Sequence, residues 1–142
     1  MSSYHIEPLD RGYNREILDI LRSAPNVSER ITLCFDRRPD FFALPDVRYD
    51  PYQYYGYFRD NDLKGFCGLG YHPGILNGSA QAVFHMRDYY VLPESRGIGF
   101  GLKVTENFYR ETYDNANTGY VVILEGNKAS LSYIGRRNPS FP

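Results

Sequence analysis

Between Val91 and Gly101 the chain reads Val-Leu-Pro-Glu-Ser-Arg-Gly-Ile-Gly-Phe-Gly, and no other stretch restricts its folding as much. A run with strand character, Gln81–Leu92, enters this segment. A run with apolar residues at helical spacing, Leu102–Tyr113, leaves it. Three glycines within five residues let the backbone turn sharply and pass close to a ligand. The amides of such a turn lie at a helix N-terminus, where unpaired N–H groups and the helix dipole favour an anion. Arg96 adds a positive charge. A phosphate or pyrophosphate is the natural guest.

Two common phosphate loops do not fit. A P-loop needs GxxxxGK[ST], which does not occur in the chain. Gly97, Gly99 and Gly101 give GxGxG rather than the dinucleotide fingerprint GxGxxG, and Asp114 and Glu125 are poorly placed to meet a ribose.

The remaining composition narrows the class. The chain has 142 residues, 42% hydrophobic and 23% charged, which suits one domain over 1–142 with a core that needs no staples. A formal charge of −1 disfavours a general nucleic-acid binder. No apolar run approaches the ~18 residues of a membrane span. The start, Met1-Ser2-Ser3-Tyr4-His5, has no leader pattern, so a cytoplasmic, reducing location is expected. Cys34 and Cys67 are expected as buried thiols, and His5, His72 and His85 lack metal-ligand spacing, so no metal is expected. Fourteen Tyr and nine Phe, without Trp, lean the chain toward a sheet.

Along the chain, Tyr4–Leu9 reads as a strand and Asp10 as the cap of a helix to Ser23. Ile31–Phe35 reads as a strand, and Arg37–Ala43 as a short helix stopped before Pro45. Gln53–Arg59 and Leu63–Tyr71 pair through Asp60-Asn61-Asp62, and Asn77-Gly78 marks a second hairpin into Gln81–Leu92. Gly119–Leu124 is a continuous apolar run, expected as a strand buried on both faces. Asn127 caps a last helix to about Arg137. This order predicts an α/β (α+β) fold: a mixed, mostly antiparallel central sheet with helices on both faces.

Arg96-Gly97-Ile98-Gly99-Phe100-Gly101 resembles the Q/R-x-x-G-x-G/A motif of the GNAT superfamily of N-acetyltransferases. Tyr89-Tyr90-Val91-Leu92-Pro93 is similar to that family's fourth strand as it enters the motif, and Glu125–Ser130 to the segment after its fifth. The likeness holds in order and spacing from about Gln81 to Arg137, and upstream only in the order of elements. It implies acetyl-CoA as cosubstrate, with the acetyl group passing directly to the primary amine of a small-molecule or peptide acceptor. Arg96, Gly97, Ile98, Gly99, Phe100, Gly101 and Leu102 would wrap the pyrophosphate. Tyr89, Tyr90 and Val91 would meet the pantetheine arm, with Asn127 beside it. Strands four and five would splay apart near Val91 and Leu124.

Family members with a glutamate base often carry it eleven positions before the motif, which here is His85. A histidine there suits a proton acceptor with a pKa of ~6.5. Asp88, near the expected strand bulge, is the second candidate. The usual tyrosine acid falls on Ile134, with Tyr133 one residue away. Tyr52, Tyr54, Tyr55 and Tyr57 alternate across a strand, one face core and the other a candidate cleft wall. Arg37 and Arg38 read as a solvated face, and Cys67 as a weak candidate for an acyl acceptor. The GNAT fold usually adds two strands after the Asn127 helix. The sheet is therefore expected to be short of its last strands, completed by a second copy, or one part of a longer protein. A non-catalytic acyl-CoA sensor or scaffold is the rival class, and a nucleotide-phosphate binder the third.

Overall fold

The computed structural model describes residues 4–23, 26–27, 32–97, 100, 103, 118–123, 127–128 and 130–132. Strand β1 (Tyr4–Leu9) passes through a 3-10 turn, Arg11–Tyr13, into helix α1 (Asn14–Ser23). Asp10 starts the turn by accepting the Gly12 amide at 2.7 Å, which satisfies a donor that the helical ladder cannot reach. Ile17, Ile20 and Leu21 form the buried face of α1 at the spacing of one helical stripe. Strands β2 (Asn26–Val27) and β3 (Thr32–Leu33) make a small antiparallel ribbon.

The segment from Cys34 to Asp50 crosses the end of α1 and carries helix α2 (Ala43–Arg48). The helix expected over Arg37–Ala43 thus lies further on and includes Pro45. Proline is tolerated there because first-turn amides have no intrahelical partner. Asn14 ties the segment down: its amide donates to Pro39 O at 2.9 Å and accepts from Phe41 N at 2.8 Å. Outside, Arg11 bridges Asp40 at 3.0 Å and also pairs with Asp46, which accepts from the Tyr52 hydroxyl at 2.5 Å.

Strands β4 (Tyr52–Arg59), β5 (Asp62–Leu76), β6 (Ser79–Val91) and β7 (Thr118–Val121) complete a five-stranded sheet in the order β1-β4-β5-β6-β7. All neighbours are antiparallel except β6 and β7, which run parallel. The hairpin β5–β6 is longer than expected. It runs through Pro73, which lies past the last β4–β5 pair, Tyr52↔Gly70, in a two-stranded extension where proline is permitted. The expected run buried on both faces is corrected: Tyr120 is exposed and Val122 is 74% exposed. Among the described residues β7 is the outermost strand, so its flank is not covered by another.

Residues alternate between the two sheet faces. Tyr54, Phe58, Phe66 and Tyr90 pack with Ile17, Phe41 and Phe42 on the α1 face. Tyr57, Cys67, Leu69 and Val91 pack with Phe100, which is helical, on the other. Helical residues therefore pack against both faces. The aromatic rings lie flat over glycines. A Cβ on Gly68 would come within 2.3 Å of the Tyr54 ring, and one on Gly70 within 2.4 Å of the Tyr49 ring.

Gly68→Ala is therefore expected to displace a fully buried ring and to lower stability by about 2 kcal/mol, within the usual cost of overpacking. Urea unfolding of the variant checks this.

Candidate active site

The site is built around an irregularity in β6. Phe66 pairs with Tyr90 and Gly68 with Arg87, so Cys67 alone faces both Asp88 and Tyr89. This is a β-bulge, which bends its strand and raises the local twist. The extra residue also reassigns faces: Phe84 and Met86 lie on the Phe100 face, whereas Tyr90 lies on the α1 face. The parallel ladder with β7 ends two residues before the bulge, at Met86↔Val121, while β6 continues to Val91. The splay expected near Val91 and Leu124 falls partly outside the described residues, since Leu124 is not among them; within them the last β6–β7 pair is Met86↔Val121.

Asp88 adopts φ +52°, the left-handed region. Aspartate tolerates it better than most residues, though at a cost. Its carboxylate is held from three directions. Arg37 donates two hydrogen bonds, at 2.8 and 3.1 Å. Arg87 Nε donates at 2.6 Å and the Tyr54 hydroxyl at 2.7 Å. Arg37, Arg87 and Asp88 side chains are 10%, 9% and 8% exposed, so these are desolvated, charge-assisted bonds. Burial, then the Asp88 charge, pushes the Tyr54 phenol up, so it stays a donor. These bonds hold the Asp88 side chain at the bulge. Arg37 is likewise no solvated residue: it lies over the Phe41 ring, 5.1 Å from its centroid, and reaches the sheet.

His85 lies on the same face, between Gly70 on β5 and Tyr120 on β7. Its Nδ1 is 2.6 Å from the Tyr49 hydroxyl, which also accepts from Arg87 Nη1 at 3.0 Å. Its ring stacks on Tyr120 at 4.3 Å between centroids, and Tyr120 in turn meets His72 Nε2 at 3.2 Å. Burial first, then the charges of Arg87 and Arg48, push the His85 pKa down to about 4. This downward direction departs from the unshifted ~6.5 of the expectation and favours the neutral imidazole.

The other expected residues fall in two groups. Tyr89 stacks on Phe100 at 5.8 Å and Tyr90 on Phe66 at 5.4 Å; Val91 and Phe100 are buried in the core. Arg96 Nε donates to Val91 O at 3.1 Å, so its guanidinium is anchored to the strand end that precedes it. Gly97 has φ +83°, and a Cβ built there meets nothing within 4 Å. This backbone needs glycine and opens on to space. Asn127 caps a helical turn, its Oδ1 accepting from Ser130 N at 3.2 Å and its carbonyl from Leu131 N at 3.0 Å. Ile98, Gly99, Gly101, Leu102 and Tyr133 lie outside the described residues.

Cys67 is fully buried and its thiol is pushed well up by burial, which removes it as an acyl acceptor. Cys34 is exposed, against expectation. Tyr54 and Tyr57 are core residues on opposite faces, and Tyr52 belongs to the Arg11 cluster. Among the described residues no helix is long and apolar enough to cross a membrane, and no three His, Cys, Asp or Glu side chains gather as a metal site.

The β6 bulge, the end of the β6–β7 ladder ahead of it and the glycine turn after it make up the site. Residues 14–136 match the model of the Acetyltransferase (GNAT) family. The chain belongs to the GNAT acetyltransferases. Solved structures agree in fold at low identity. A Trypanosoma brucei acetyltransferase superposes with a TM-score of 0.69 at 17% identity, over 96% of this chain and 92% of that one. Glucosamine-6-phosphate N-acetyltransferase from Arabidopsis thaliana gives 0.67 at 17%, over 99% and 95%. An aminoglycoside N-acetyltransferase solved in complex with CoA gives 0.68 at 15%, over 96% and 87%. A search among curated proteins finds no significant match. Within this GNAT chain the residues missed by sequence reasoning are Arg37, Tyr49, Tyr54 and Arg87. Of these, only the closeness of Arg87 to Asp88 in sequence was a signal.

Asp88→Asn retains tolerance of the left-handed backbone but leaves Arg37 and Arg87 without a buried counter-charge. It is expected to cost about 3 kcal/mol in chemical unfolding, the lower end for breaking a buried ion pair. His85 gives a second expectation. Its folded pKa lies below the unfolded ~6.5, so as pH falls the unfolded chain takes up the proton first. The associated stability is whole above about pH 6.5 and declines as pH falls toward 4. The difference in unfolding free energy between wild type and His85→Gln, measured across that window, should carry this slope.

Proposed function

We propose that this chain is an acetyl-CoA-dependent N-acetyltransferase acting on a primary amine. The observation that carries the reading is the end of the β6–β7 ladder at Met86↔Val121, next to the Asp88 bulge and ahead of the left-handed turn at Gly97. A thioester arm fits beside Tyr89–Val91, adding itself to the strand as a peptide does in β-augmentation. The pyrophosphate is assigned to the Gly97 turn, where a Cβ would meet no atom of the described residues within 4 Å and the sequence places the start of a helix. In the reaction the amine nitrogen bonds to the thioester carbonyl carbon, the C–S bond breaks, and the sulfur leaves as the thiolate of CoA and takes up a proton. The amine must first lose its own proton. Burial first, then Arg87 and Arg48, push the His85 pKa down, and an amine bound beside it would meet the same desolvation and the same charges, which lower its pKa. Deprotonation to water then needs no strong base.

The structural neighbours carry different acceptors in their names, an aminoglycoside, glucosamine 6-phosphate and a ribosomal-protein alanine among them. They support the donor half of the reading and leave the acceptor to experiment. A second reading, an acyl-CoA-binding domain without turnover, is favoured by one observation, the burial of His85 with its Nδ1 engaged by the Tyr49 hydroxyl. A neighbour named as a transcriptional regulator, from Bacillus halodurans, has a TM-score of 0.70 at 11% identity.

Calorimetry with CoA and an amine panel with acetyl-CoA and free-thiol detection separate these readings. Binding with thiol release supports the transferase, and binding without it the sensor. Absence of binding by folded protein defeats both. Gly97→Val places a branched residue at positive φ, a strain of about 1–3 kcal/mol. It is expected to weaken CoA binding by tenfold or more while the protein still melts cooperatively.

A further inference from the structure

We propose that Tyr49 is a positioning residue that fixes His85 as the Nε2–H tautomer, so that His85 serves the acetyl-transfer site as a hydrogen-bond donor rather than as a base. The proposal rests on the transferase reading for its use, but its geometry stands by itself. Arg87 carries only donors, so the Tyr49 oxygen accepts the 3.0 Å bond from Nη1. Arg87 cannot turn away, because its Nε is held by buried Asp88. The single hydroxyl hydrogen of Tyr49 is thus left for His85 Nδ1, 2.6 Å distant. An imidazole nitrogen that accepts a hydrogen bond is bare, so in the neutral ring the hydrogen sits on Nε2.

Two further contacts hold the ring. Tyr120 stacks on it with planes 14° apart. The Tyr49 ring, buried at 5% exposure, occupies the space left open at Gly70. The charged and titratable groups around His85 are Arg48 and Tyr49 from the α2 end, His72 on β5, Arg87 and Asp88 on β6, and Tyr120 on β7. Asp88 alone among them is anionic at neutral pH, and its oxygens are committed to Arg37, Arg87 and Tyr54. Among the described residues no other carboxylate is within reach to draw the hydrogen to Nδ1. A relay therefore runs from Asp88 through Arg87 and Tyr49 to His85. It delivers a donor suited to an oxygen of the bound substrates, a thioester carbonyl or a hydroxyl beside the acceptor amine.

The test is nitrogen-15 NMR on protein labelled at histidine, at pH 7. The chain has three histidines, and His72→Gln and His5→Gln assign the remaining ring. The expected wild-type spectrum shows His85 as one tautomer, with Nε2 protonated and Nδ1 bare and hydrogen-bonded. In Tyr49→Phe the Nδ1 signal should shift to that of a nitrogen without a donor, and both tautomers should appear. A protonated Nδ1 in wild type, or an unchanged ring in Tyr49→Phe, overturns the proposal. The wild-type spectrum decides it even if the variant fails to fold. With an amine substrate, Tyr49→Phe should lower kcat about fivefold to tenfold, near the worth of one buried hydrogen bond, with KM for acetyl-CoA unchanged. His85→Gln, whose amide still donates, should retain more rate than His85→Leu; equal loss in both overturns the donor role. Absence of CoA binding would defeat the transferase reading and leave the tautomer measurement intact.

Discussion

One carboxylate organises the centre of this protein. Asp88 occupies a backbone conformation that an L-residue adopts only under compensation, and two buried arginines and a tyrosine hydroxyl supply it. The strain and the charges are mutually dependent. Without the bulge, Asp88 would not face Arg37, and two buried guanidiniums would lack a counter-ion. Without the arginines, a carboxylate in this core would carry a large desolvation cost. The consequences extend along β6. Tyr90 moves to the α1 face, Val91 joins Phe100 on the other, and the strand leaves the line of β7.

Glycines in the sheet have a related use. Tyr54 lies over Gly68 and Tyr49 over Gly70, so large rings rest almost on the backbone. This brings their hydroxyls to fixed positions: Tyr54 onto Asp88 and Tyr49 onto His85. A sheet rich in tyrosine is therefore both core and wiring, with ring area for packing and a polar tip for the network.

What the sequence discloses divides by range. The strands at Tyr4–Leu9 and Tyr52–Arg59, the hairpin at Asn77-Gly78 and the turn at Gly97 rest on local chemistry, and the structure has them. The position of His85 on β6 was also legible, because strand residues are placed by counting. The electrostatics were not. Arg37 meets Asp88 across 51 residues and Tyr49 meets His85 across 36. Both partners arrive on the irregular segment between Cys34 and Asp50, whose course no periodicity encodes. A run such as Arg37-Arg38 ordinarily reads as solvated, and for Arg38, exposed beside Asp36, that is what the structure has. Pro45 reads locally as a helix stop, yet it sits in the first turn of α2, where a proline is tolerated.

That same segment is fastened at two unlike places. Its inner end is held by Arg37 on Asp88, in a dry setting where dissolved ions have little access. Its outer side is held by Arg11 on Asp40 and Asp46, with those side chains 37–56% exposed. Mobile ions weaken the second fastening and scarcely affect the first. Rising salt would loosen the outer pairs while Arg37, the Asn14 hydrogen bonds and the buried Phe41 and Phe42 rings keep the inner side in place. The salt-sensitive pairs thus lie on the outer surface of the segment and the salt-insensitive one at the Asp88 bulge, so ionic strength reaches the one without reaching the other.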